Sequence, residues 1–369
     1  MQQTDYRNKF AISQSLIKEF RYMSPQAWYQ KHIVNKSEDK REDHFDYGSL
    51  VDTILFSPNL MKERFFIADD TMKIPSDAIK NFIDTLYKEN CAPVEEMSFA
   101  GMGQVRNIPM VELNEEILNI AKRPDVNYGK GSYKDERILK EIFEKGNDYF
   151  EMRKRVGNKT IISSEDNLQA INQVEMIRNH PRSKKYFVQE SGHSLFFQQE
   201  IFIPLKKFND PIPALIEAGC PDPMEIQLKG AIDIILVDHI VKTVREVDFK
   251  TSRDAHRNSF IGDIKRFGYG TQHSVYKPLV EAWRDQNFPG YEILPPINVV
   301  IDKTLNEPYI YAYSWEDLEV ERVGYDDHRG RREGWETTLD RMLWHIENNV
   351  WIDKELYENN QIEVKLYAN

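Results

Sequence analysis

The stretch Gly230-Ala231-Ile232-Asp233 … Glu246-Val247-Asp248-Phe249-Lys250-Thr251-Ser252 sets one carboxylate in an apolar run and, fifteen residues on, an Asp-x-Lys in another. Ile232, Ile234, Ile235, Leu236 and Val237 make an almost continuous β-prone run around Asp233. In the second run Val244, Val247 and Phe249 stand among charged residues. On a strand Asp248 and Lys250 point the same way, roughly 6.6 Å apart at the usual rise. The bland alternative is a solvated edge strand with surface ion pairs. Against it, a charge inside an apolar run is costly unless it is paired or binds metal. Two acids and a lysine meeting at a sheet surface can hold a divalent metal and steady an attacking water, which suits phosphodiester hydrolysis.

Outward from this stretch, strands are predicted over 194–204, 225–238 and 243–249, then a long helix over 259–284. Strands over 297–302 and 309–314 and a helix over 335–349 follow. Upstream, Ile12 to Phe20 reads as a serine-capped helix, and Ser24-Pro25 opens another with proline in a permitted first-turn position. Tyr47 to Phe56 is a short helix closed by Ser57-Pro58. Helical patches over 78–89 and 136–150, with a glycine-containing loop at 100–103, form an inserted helical lobe. Ser163-Ser164-Glu165-Asp166 opens a helix that Pro181 must end. The expected division is 1–73 as an N-terminal helical part, 74–161 as the inserted lobe and 162–369 as the core with the sheet.

At 369 residues the chain can bury one large or two modest cores. Hydrophobic (40%) and charged (30%) contents are those of a soluble protein, and 12% aromatics argues against disorder. No run of 18 apolar residues exists, so no membrane association is expected. The start, Met1-Gln2-Gln3-Thr4-Asp5, has no signal-peptide pattern, and a cytoplasmic location is expected, in the host cell if the chain is phage-encoded. Cys91 and Cys220 lack CxxC spacing, which excludes a disulfide scaffold and a cysteine zinc site. The net charge of −11 counts against a wholly basic nucleic-acid binder and leaves room for metal-binding acids beside a locally basic groove.

Downstream, Gln272-x-x-x-Tyr276 puts two polar side chains on one helix face, bordering the apolar arc of Ile261, Ile264, Val275 and Leu279. These pieces recur in a known order. Ile12-Ser13-x-Ser15 comes with Ser24-Pro25, then Gly48-x-x-x-Asp52 with Leu55 and Ser57-Pro58. Ile162-Ser163-x-Glu165-Asp166 and His180-Pro181 precede Gly230-x-Ile232-Asp233, Asp248-Phe249-Lys250-Thr251-Ser252 and Gln272-x-x-x-Tyr276. So arranged, the chain resembles the PD-(D/E)XK nuclease superfamily, in its RecB/RecE-like phage exonuclease branch, over most of its length.

The resemblance implies an α/β (α+β) fold, with a restriction-endonuclease-like mixed central sheet flanked by helices and an inserted helical lobe. It implies a Mg²⁺-dependent DNA exonuclease, with Mn²⁺ able to substitute, serving phage recombination or DNA degradation. Asp233 and Asp248 would be metal ligands, joined by the Phe249 carbonyl, since oxygen suits Mg²⁺. Lys250 would orient or activate the water, and Gln272 and Tyr276 would line the DNA strand beside the site. The implied partners are linear duplex ends, a homo-oligomer and a phage single-strand annealing protein.

Two departures stand out. The family places a histidine four residues after the glycine equivalent to Gly48. Here Asp52 stands there, either as a hard oxygen ligand or as a helix-surface acid, and His44 has the wrong spacing. The upstream glutamate of the family, which would join Asp233 and Asp248 as a metal ligand and catalytic acid, is met by Glu200 on the strand before Gly230, or alternatively by Glu190. Arg253, His256, Arg257, Lys265 and Arg266 follow the catalytic strand and can meet phosphates or form a solvated helix face. Pro221-Asp222 reads as a turn, Arg329-Gly330-Arg331-Arg332 as a loop, and the six tryptophans as core.

Overall fold

Alternation and β-branching across residues 193–312 produce a five-stranded sheet in the order β1-β2-β3-β4-β5. Its strands are β1 (His193–Lys207), β2 (Glu225–Asp238), β3 (Thr243–Ser252), β4 (Glu292–Asp302) and β5 (Tyr309–Ala312). The computed structural model describes residues 6, 9–34, 45–69, 74–91, 107–123, 126, 128, 133–302, 307–327 and 330–361. The chain divides into two compact units, Met1–Lys40 with Glu175–Asn369, and Arg41–Val174.

The sheet belongs to the first unit. β1, β2 and β3 are antiparallel neighbours, β3 and β4 are parallel, and β4 and β5 are antiparallel. The β2–β3 turn is shaped by Asp238, whose carboxylate accepts the Ile240 and Val241 N–H groups, and by Lys242 at φ 57°. A parallel pair needs a crossover, and helices supply it. Helices of this unit include α1 (Gln14–Tyr22), α2 (Arg257–Phe267), α3 (Tyr269–Asn287), α4 (Trp315–Val323) and α5 (Trp335–Asn348). The single helix expected over 259–284 is therefore two. Gly268 separates them in the left-handed region (φ 74°), its N–H closing α2 on the Ile264 carbonyl.

Val275, Leu279, Val280 and Trp283 of α3 pack with Ile226, Leu228 and Ile232 of β2, and α1 and α5 add Ile17, Phe20, Leu339, Met342 and Ile346. On the opposite face, to which alternation turns Phe249, its ring meets Phe187 of the helix Lys184–Phe187 edge-on at 5.9 Å. This is the mixed sheet flanked by helices expected from the sequence. Ser13 and Ser24 cap their helices as read, and Pro25 stands at the start of its helix. Trp28, Trp283, Trp335 and Trp351 are buried, whereas Trp315 and Trp344, also expected in the core, are only half-buried. Asp222 accepts the Met224 N–H in a turn.

The second unit has helices Phe45–Phe56, Asp77–Asn90, Asn114–Ala121 and Asp135–Val156, and a parallel strand pair, Phe65–Ala68 with Thr160–Ser163. Phe82, Ile83, Leu86, Tyr149 and Phe150 centre its core. Within it Arg153 pairs with Asp84 at 2.7 Å and bonds the Tyr149 hydroxyl. The loop at 100–103 lies outside the described residues. Among the described residues no helix is long and apolar enough to cross a membrane.

Candidate active site

Pairing of β2 with β3 runs from Asp238↔Thr243 to Ile234↔Val247 and stops there. Further along, the same edge of β2 is taken by Ile12, whose N–H bonds the Gln227 carbonyl and whose carbonyl accepts the Lys229 N–H. Between these two pairings lies Gly230 to Asp233. The Asp233 carboxylate accepts the Phe249 N–H at 3.1 Å on one oxygen and the Gln198 amide at 3.1 Å on the other. Gln198 stands opposite Asp233 on β1, with φ 48°.

Asp248 is held by three donors. Lys250 (2.7 Å) and Gln272 (2.8 Å) donate to its Oδ1, and Asn298 (2.6 Å) donates to its Oδ2. Strand alternation turns Asp248 and Lys250 to one face, as read from the sequence, and helix α3 delivers Gln272 to the same acid. The Lys250 ammonium lies 5.2 Å from the centre of the Tyr269 ring, in cation–π range. Beneath, the Glu246 carboxylate and His273 Nδ1 meet at 2.7 Å, both buried.

Burial, then the Asp248 charge, push the Asp233 carboxyl up to about 6 against the pull of Lys250. Burial alone would depress the Lys250 ammonium. Asp248 and Asp233 outweigh it and hold that pKa above its ordinary value, so the lysine stays charged. Burial raises Glu246, whereas in His273 the attraction of Glu246 overcomes burial and raises the ring. Burial also keeps the Tyr276 proton on its hydroxyl, reinforced by Tyr6, Asp248 and Asp233. Three acids against two bases leave this centre with a net negative charge when all are ionised.

Asp233, Asp248, Lys250 and Gln272 are thus brought together, with Tyr276 close enough to feel both acids, and Phe249 contributes its N–H. Glu200 sits half-buried on β1 opposite Ala231, and its charge acts on Tyr6 and Lys229. Glu190 pairs with Lys184 at 3.0 Å. Asp52 is an exposed residue of Phe45–Phe56 in the second unit, and His44 lies outside the described residues. Arg253 and Arg257 are exposed, in the loop after β3 and at the start of α2. Among the described residues no three of His, Cys, Asp and Glu gather as a metal-ligand cluster.

Gln198, Glu246, His273, Asn298 and Tyr313 were not singled out in sequence. For Asn298 a signal existed: it stands in Ile297-Asn298-Val299-Val300-Ile301, a polar side chain in an apolar run like Asp233.

The chain matches no protein-family profile and no curated protein. Among solved structures it is similar to a "Putative exonuclease" from Eubacterium rectale, at 14% identity and a TM-score of 0.42, over 100% of this chain and 94% of that one. The function is read from the site itself.

Proposed function

We propose that this chain is a divalent-metal-dependent deoxyribonuclease, an exonuclease working from the ends of linear duplex. The observation that carries it is the meeting of Asp233, Asp248 and Lys250 where β2 and β3 part. Mg²⁺ is bound by as few as one or two carboxylates when phosphate and water complete its shell. Two buried acids, one reluctant to ionise beside the other, fit a hard cation that relieves their repulsion. Asp233 and Asp248 would hold it, with the Phe249 carbonyl as a further oxygen donor. Such an ion polarises a phosphodiester and lowers the pKa of a water.

The remaining work falls to the chain. Lys250, kept charged by its acidic neighbours, offsets the negative charge that builds on the phosphate. Gln272 fixes Asp248, and the Tyr276 hydroxyl, which retains its proton, donates to a phosphate or base. Arg253 and Arg257 meet the backbone of the duplex. From the resemblance come the wider expectations of phage recombination or DNA degradation, assembly into a homo-oligomer, and a single-strand annealing partner. A second reading is a nuclease-fold DNA-binding protein without activity. Its support is Glu200, whose charge acts on Tyr6 and Lys229 and leaves two acids beside Lys250.

Digestion of linear against circular duplex with Mg²⁺ or Mn²⁺ separates the readings. Loss of linear DNA with circular DNA intact is expected, and Lys250→Ala should lower the rate by ~10²–10³. Equal cutting of both forms would make the protein an endonuclease. No cutting of either with both metals would leave the binding protein.

A further inference from the structure

Asn298 is fully buried, in register with Asp248 across the parallel pair β3–β4. Its amide nitrogen donates to Asp248 Oδ2 at 2.6 Å, and its amide oxygen accepts the Tyr313 hydroxyl at 2.5 Å. Tyr313 follows β5, and its ring packs 4.5 Å from that of His273, which is itself tied to Glu246. With the Tyr313 hydroxyl on its oxygen, the amide is oriented. Turned over, it would set its own carbonyl against the Asp248 carboxylate.

A carboxylate has about four acceptor positions. On Asp248, Lys250 and Gln272 fill both positions of Oδ1, and Asn298 fills one on Oδ2. Among the described residues one position remains. We infer that Asn298 and Tyr313 are positioning residues that brace Asp248 so that its last Oδ2 acceptor position is presented to a divalent cation. The inference rests on the metal-dependent reading above, and it assigns work to two residues outside the Asp-x-Lys and Gln-x-x-x-Tyr motifs. A merely structural Asn298 would satisfy a buried oxygen and affect stability alone. A positioning Asn298 alters ion affinity in protein that is fully folded.

The test is calorimetric titration of the full-length protein with Mn²⁺, well below its melting temperature, with thermal melts recorded separately. Wild type is expected to bind and Asp248→Asn to lose binding. Asn298→Leu should bind roughly 10–100-fold more weakly, the usual effect of removing an outer partner of a metal ligand. Tyr313→Phe keeps the ring and should weaken binding by about threefold, as expected for one lost hydrogen bond. It also decides the matter if Asn298→Leu does not fold. Wild-type affinity in the folded variants, whatever their melting temperatures, would overturn the bracing role while leaving the metal site standing. Failure of the wild type to bind Mn²⁺ would instead overturn the metal-dependent reading and the bracing role with it.

Discussion

Asp233 gives the site a dependence on pH whose sign is fixed by its surroundings. Burial and Asp248 raise its carboxyl from 3.8 to about 6 in the folded chain. A raised acid favours folding while protonated, so its contribution is fully present below about pH 4 and is lost as pH rises through 6. Ionised Asp233 therefore costs the metal-free protein roughly 3 kcal/mol at neutral pH. Asp233→Asn should be more stable than wild type at pH 7.5 without divalent ions. In urea unfolding the gap should open between about pH 4 and 6 and stay level above. A gap independent of pH would remove the buried ionised acid from the account. Asp233, Asp248 and Lys250 were legible because a charge in an apolar run is a one-dimensional signal. Their supports were not, because Asn298 meets Asp248 from 50 residues away and Tyr313 acts only through it.

Between strand and helix, contact distance decides more than propensity. A Cβ at Gly230 would fall 2.6 Å from Leu279 Cδ1 and 2.9 Å from Tyr276 Cε1. The glycine of Gly230-x-Ile232-Asp233 thus lets α3 lie close on β2 and sets the Tyr276 ring beside the acids. Gly230→Ala should cost about 1–3 kcal/mol as overpacking and lower cleavage by displacing Tyr276. Gly262→Ala is the control: nothing lies within 4 Å of its Cβ, and an exposed helix gains roughly 0.5–1 kcal/mol from the change. Urea midpoints and rates for both variants check this, and a Gly230→Ala protein as stable and active as wild type would rule out the close-contact role. Most elements could be read from periodicity and caps. The break at Gly268 could not, since a glycine inside an amphipathic pattern is compatible with an unbroken helix. Nor could the extension of β3 to Ser252, which rests on pairing with Val300, Ile301 and Asp302 of β4.

Among the described residues each of the two units has a core of its own, and the boundary between them at Val174 and Glu175 falls inside the unbroken helix Ser164–Asn179. Neither proline, glycine nor a composition shift marks it, so nothing in the local sequence signals the division. The first unit also joins distant parts of the chain. Ile12 bridges to Leu228, and Lys229 reaches the Lys9 carbonyl across 220 residues. Closing a loop of that length costs on the order of 5 kcal/mol in chain entropy, and that cost is met only once the sheet exists to receive the segment. Ile12 leaves the ribosome long before Leu228 and must then wait for it. Removing its side chain should therefore act on the way out of the native state and not on the way in. Ile12→Ala, fully buried and costing at least about 2 kcal/mol, is expected to speed unfolding on the order of 30-fold and leave refolding nearly unchanged. Stopped-flow chevrons would show it, and an equal slowing of refolding would put the segment in the folding nucleus. On this account a segment made long before the sheet docks only after it, and its release is an early step of coming apart.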